Sequence, residues 1–262
     1  MAGDRTYRVA IGLGRAGMRA LDLRLTGHDV HHVPTTGPVL LAATHVSYPD
    51  FVFVQEAARP SGRYVRFMTR HDVWQVRGLA RPMRAMRHIP VDRQAPAGAY
   101  VMARGLLRAG EAVCAFPEAG ISYSYTVRSL MRGVASLARE TGAPVVPVAV
   151  WGAQRVYSVG VPDARGREPR PSFRRGRRVD VSFGPALTVD PGDDLTEWTC
   201  HLGSVLTAQL EALQRLDHHQ PRSGEHAPWH PAHLGGHAPT RSEAAHLDVV
   251  PRSAIRPTWG PG

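Results

Sequence analysis

The chain has no lysine. All 32 of its Lys and Arg positions are arginine, and the formal net charge is +10 over 262 residues. Any phosphate contact by a fixed cation must therefore come from a guanidinium, which grips oxyanions through a planar fork and stays charged at any usable pH. Cysteine is scarce. Cys114 and Cys200 have no metal-ligand spacing and build no disulfide framework, and Cys114, in an apolar run, is expected to be a buried thiol. No apolar run approaches the length of a membrane span, so any membrane contact is expected to be peripheral. Arg15, Arg19, Asp22 and Arg24 interrupt the charged-then-apolar layout of a secretory signal. These absences suit a cytoplasmic, reducing location. The positive balance suits nucleic acid, anionic lipid or a phosphorylated substrate, and charge alone does not choose among them.

Apolar patterning predicts an α/β fold: one domain with a largely parallel or mixed central sheet flanked by helices. Residues 5–25 read as a basic amphipathic helix, with Leu13, Met18, Leu21 and Leu25 interleaved with Arg15, Arg19 and Arg24. Strands are expected at 28–33, 38–43, 64–68, 111–116, 143–151 and 178–183. Helices are expected at 50–58, 73–87 (divided near Pro82), 95–109, 129–140 and 195–216. Three regions follow: an amphipathic segment 1–25, an α/β domain 26–216, and a tail 217–262. The tail holds seven of the chain's 14 histidines, many prolines and little periodicity, so disorder is expected there. A His-rich tail could bind metal adventitiously, but it lacks the helical setting and carboxylate partners of a designed site, so no functional metal site is expected.

Gly12-Leu-Gly14-Arg-Ala-Gly17 fits the G-x-G-x-x-G pattern of dinucleotide sites. The strand before it is short, and His31, His32 and Val33 stand where a ribose-binding acid belongs. A nucleotide-dependent oxidoreductase is the weaker reading of this segment.

His45-Val-Ser-Tyr-Pro-Asp50 is the most informative local feature. The apolar run Pro38–Ala43 reads as a buried strand leading in, and 50–58 as a helix leading out. A strand end places a histidine at a sheet rim, and the first turn of the helix places a carboxylate beside it. That geometry suits a histidine base oriented by an acid. Downstream, in order, come His88-Ile-Pro-Val-Asp-Arg93, Cys114-Ala-Phe-Pro-Glu-Ala-Gly-Ile-Ser122 and Gly142-Ala-Pro-Val-Val-Pro-Val-Ala-Val150. With these blocks the chain resembles the glycerolipid acyltransferase family over roughly residues 20–190. That family carries H-x4-D, an I-P-x-D-R-type block, F-P-E-G-T-R-S and a V-P-V-type strand, and its best-known members acylate 1-acylglycerol-3-phosphate.

The resemblance implies an O-acyltransferase of phospholipid synthesis. An acyl thioester, acyl-CoA or acyl-carrier protein, would be the donor and co-substrate, a lysophospholipid the acceptor, and no resident cofactor would be needed. His45 would be the base and Asp50 its orienting acid. Arg93, Glu118, Gly120 and Ser122 would form the acceptor site. The enzyme would lie peripherally on the inner face of the cell membrane, with no nucleic-acid partner. Two departures from the family pattern stand out: Ile121 replaces the arginine of the F-P-E-G-T-R-S block, and Thr44 precedes the histidine where the family often has Asn. Arg93, Arg128 or Arg132 would then supply the missing charge, or the acceptor would be another lipid or glycolipid. The basic loop 165–178 could touch lipid headgroups or the phosphates of coenzyme A. A catalytically degenerate, basic membrane-binding protein is the alternative from another class.

Overall fold

Two runs with no charged residue, Val39–Ala43 and Val145–Trp151, are buried along their whole length, as strands covered on both faces must be. They are β2 and β6 of a seven-stranded sheet. The computed structural model describes residues 2–163 and 165–260. Around these two strands lie α1 (Ala2–Ala20), β1 (Arg24–His28), α2 (Asp50–Ala57), β3 (Val65–Arg70), α3 (Ala80–Ala85), β4 (Ile89–Val91), α4 (Ala97–Arg108), β5 (Ala112–Ala115), α5 (Gly133–Thr141), β7 (Arg178–Phe183), α6 (Leu195–Gln214) and α7 (Arg241–Ala244).

The strand order is β1-β7-β6-β2-β5-β3-β4. All pairs are parallel except β6 with β7, so the sheet is mixed. Helices flank it, and the whole is one α/β domain, as the patterning predicts. Parallel β2, β5 and β6 end together, and the loops beyond their carboxyl ends form the crevice where open α/β sheets place their chemistry.

Several expectations need correction. The first strand is Arg24–His28, upstream of the 28–33 segment, which instead begins a short 3-10 turn at Val30–His32. The helical stretch 73–87 is broken by Gly78 at φ 87°, not by Pro82. Pro82 lies in the first turn of α3, where a missing N–H costs nothing. The block Ile89–Val91 is a strand, β4, against β3.

The tail is ordered among the described residues, against the expectation of disorder. Its anchors are single rings in long-range contacts, which leave no periodic signal in the sequence. Trp259 is 4 % exposed and lies on Gly203 of α6, where a Cβ would come within 2.4 Å of the indole. The Trp259 indole N–H and the Arg241 guanidinium both donate to the Val127 carbonyl, at 3.3 and 3.1 Å. Thr240 and Glu243 close a capping box that starts α7.

The glycines of α1 belong to a helix and not to a nucleotide-binding turn. Tyr7 anchors that helix: its ring stacks on Tyr64 at 4.6 Å, and its hydroxyl donates to Gln55 Oε1 at 2.8 Å. Arg15 pairs with Glu56 of α2 at 2.9 Å. Val9 and Leu13 remain exposed.

Candidate active site

β2 ends at Ala43, and the chain turns through residues 44–49 before α2 begins at Asp50. The turn is held by the carboxylate at its end. Asp50 is fully buried. Its Oδ2 accepts from the Val46 and Ser47 amides at 2.8 and 2.9 Å, and its Oδ1 accepts from the Ser47 hydroxyl. The same Oδ2 lies 2.9 Å from His45 Nδ1. A carboxylate only accepts, so Nδ1 carries the proton and donates it. That leaves Nε2 as the bare lone pair. No described residue bonds to Nε2, and the His45 side chain is 21 % exposed. The ring lies on Phe116, with centroids 4.3 Å apart and planes 26° from parallel. Tautomer, tilt and direction of the imidazole are thus all set, and one nitrogen faces the crevice.

Glu118 follows β5 and is 2 % exposed. Its Oε1 accepts from the His45 amide at 2.8 Å and its Oε2 from the Arg128 amide at 3.0 Å. Both oxygens therefore hold backbone, and the residue acts as a clamp beneath His45. Burial pushes its carboxyl up to about 7, against the pull of those two amides and the Arg128 charge. Ala119 occupies the glycine position of the F-P-E-G block and sits at φ 54°, the left-handed region that a Cβ disfavours.

Gly120 lies against the Arg128 guanidinium, where a Cβ would come within 3.0 Å of Nη1. The Ser122 amide donates to the His45 carbonyl at 3.2 Å, so the loop after β5 is laced to the loop after β2. The Ser122 hydroxyl is buried and bonded to that of Ser124 at 3.1 Å, which in turn bonds Thr126 at 2.8 Å.

Arg93, just beyond β4, is exposed and makes no hydrogen bond or ion pair among the described residues. It therefore does not pair with Asp92 or Glu118. Partial desolvation and the like charges of Arg70 and Arg128 lower its pKa, with Asp72 opposing. An unpartnered guanidinium in a positive field suits an anion. The structure thus brings His45, Asp50, Glu118, Gly120 and Ser122 into one knot and leaves Arg93 at its charged edge.

Arg128 answers the missing arginine in part. Its guanidinium returns to residue 121, donating to the Ile121 carbonyl at 3.2 Å. Asp248 and the Val249 carbonyl of the tail accept from the same guanidinium, at 3.0 and 2.7 Å. This buried pair was not legible in the sequence, because 120 positions separate Arg128 from Asp248.

Residues 24–151 match the family model described as Acyltransferase. That segment is similar to acyltransferase domains. The fold of the chain is similar to the crystal structure of the 1-acyl-sn-glycerophosphate (LPA) acyltransferase PlsC from Thermotoga maritima, with a TM-score of 0.63, 18% identity and 80% of each chain covered. The sequence matches no curated protein. The match ends at Trp151, so β7, which completes the same sheet, α6 and the tail that closes over Arg128 lie outside the matched segment.

Proposed function

We propose that this chain transfers a fatty acyl group from an acyl thioester to the hydroxyl of a lysophospholipid, with 1-acylglycerol-3-phosphate as the leading acceptor. The observation that carries the reading is the His45 imidazole, held through Nδ1 by buried Asp50, with Nε2 open to the crevice. Nε2 takes the acceptor's hydroxyl proton as that oxygen attacks the thioester carbonyl. The C–S bond then breaks, and the proton on Nε2 passes to the departing thiolate. Asp50 stabilises the transient imidazolium. A thioester is already activated, so no acyl-enzyme is required. Positioned general-base assistance of this kind contributes about 10²–10⁴-fold.

Arg93 is the proposed phosphate ligand, because its guanidinium is free and Arg128 is already committed to Asp248. Arg93→Lys is expected to raise the acceptor's KM, since an ammonium cannot reproduce two parallel contacts. Arg93→Ala should be worse, with little change in the donor's KM. Steady-state kinetics on phosphorylated and unphosphorylated acceptors check this. An unchanged KM for every phosphorylated acceptor in Arg93→Ala removes Arg93 from the site.

A peripheral seat on the inner membrane face is the second part of the proposal. Support comes from exposed Val9 and Leu13 on α1, and from Val76 and Leu79 beside exposed Arg77 and Arg81 where α3 packs on α1. The protein should sediment with anionic vesicles and detach as salt rises, because exposed charges are screened within about 10 Å at 0.1 M. Binding that ignores both lipid charge and salt would defeat an arginine-driven attachment.

The deciding experiment is a panel of lysophospholipid acceptors with acyl-CoA and acyl-carrier-protein donors, followed by thiol release. Acceptor-dependent release supports the transferase. No release with any pair, from protein that still binds vesicles, supports a degenerate membrane-binding protein instead.

A further inference from the structure

Three histidines from two distant parts of the chain converge on one carboxylate outside the proposed active site. Asp180 lies in β7 and is 1 % exposed. Its Oδ2 is 2.8 Å from His218 Nε2 and 2.9 Å from His219 Nε2, and its Oδ1 is 2.7 Å from His28 Nε2. His218 and His219 sit in a 3-10 turn just after α6, and His28 ends β1. Thr26 is the β1 residue in register with Asp180, so His28, two positions on, shares Thr26's face of the sheet. Room for the inner ring is built in. Gly152 stands at φ 95°, and a Cβ there would meet His219 Cε1 at 2.9 Å.

We propose that His218 Nε2, His219 Nε2 and Asp180 Oδ2 bind one divalent transition-metal ion of the zinc class, with His28 orienting the carboxylate through its other oxygen. Two imidazoles and a carboxylate form a donor set that zinc and its first-row neighbours favour. The three ligand atoms already lie within 4.8 Å of one another. Metal bonds of about 2.0–2.1 Å at tetrahedral angles place ligand atoms about 3.3 Å apart, so each Asp180–histidine distance opens by a few tenths of an ångström while the two imidazole nitrogens adjust within their 4.8 Å limit. His218 has the freedom to give way, because its side chain is 29 % exposed. The exposed side of His218 and His28 is also the entry path and leaves a coordination position for water. A second partner on a ligating carboxylate, as His28 supplies here, fixes the ligand's direction. The ion needs each ligating Nε2 as a lone pair, so the ring protons of His218 and His219 move to Nδ1 on binding. The site would staple the turn after α6, and so the start of the tail, to the sheet.

The test uses the full-length protein stripped by chelator and titrated with Zn(II) against a competing indicator dye. Co(II) then serves as a spectroscopic probe of low-coordinate ligation. The expected result is one equivalent bound, with d–d absorption of the cobalt form and a rise in the thermal midpoint with Zn(II). His218→Ala should weaken binding at least ten-fold and abolish the zinc-dependent rise. His246→Ala, at an exposed tail histidine, should change neither. Asp180→Asn should also lose the ion, and His28→Gln decides alongside His218→Ala where Asp180→Asn does not fold. Binding that is unaltered in His218→Ala, or that shows no single equivalent above the background of the other histidines, overturns the proposal and leaves a hydrogen-bonded cluster.

Discussion

His45→Ala is expected to lower kcat by about 10²–10⁴-fold, the range that a positioned general base supplies. The fold should survive the change. The His45 side chain is part-exposed, and Asp50 keeps the Val46 and Ser47 amides and the Ser47 hydroxyl when the imidazole goes. Thermal melting should therefore move little while thiol release collapses. Asp50→Asn is expected to behave differently. An amide in that position turns an NH2 donor toward groups that donate, so stability should fall together with rate. The contrast separates a base from its support. Near-normal acyl transfer by folded His45→Ala would eliminate the assignment.

Glu118→Ala is expected to cost stability on the order of 4 kcal/mol, since it strands the buried amides of His45 and Arg128, at about 1–3 kcal/mol each. The loop carrying His45 loses one of its anchors at the same time, so turnover should also fall. Urea unfolding measures the first effect, and an unchanged midpoint would show that Glu118 clamps nothing. Glu118→Gln tests the protonation. The carboxyl rises from an ordinary value of 4.5 to about 7 in the folded state because of its burial. A group raised in this way binds its proton more tightly when folded. Its contribution to stability is full below about 4.5 and is lost as the pH climbs through about 7. Stability of wild type relative to Glu118→Gln should thus decline between those limits, by about 3 kcal/mol at ~1.4 kcal/mol per unit. A flat difference across that range would mean that Glu118 is ionised in the fold throughout.

Much of the domain was legible because local patterns carried it. β2, β6 and β7 announce themselves as uncharged runs or alternation, and the dyad spans only five positions. What could not be read was anything made by a single contact across the chain. Glu118 was expected to face the acceptor, yet its two oxygens are spent on amides that no sequence pattern reveals. Ser122 was expected to offer a hydroxyl, and the turn at Tyr125, φ 54°, folds that hydroxyl into a chain with Ser124 and Thr126. The tail read as disordered because Trp259 on Gly203 and Arg241 on Val127 are isolated anchors with no period. β4 escaped because three residues with a central proline look like a loop.

β6 lies between the two histidine sites. Val148 is paired with Ala43 on one flank, just before the histidine turn, and Trp151 is paired with Asp180 on the other. Every residue between them is buried. A strand enclosed on both faces cannot creep. Its smallest slip is one full residue, which reverses every side chain and is forbidden by the core. The histidine cluster and the dyad therefore flank one strand whose register is fixed, so neither site can be displaced along the sheet by a residue without unpacking the other.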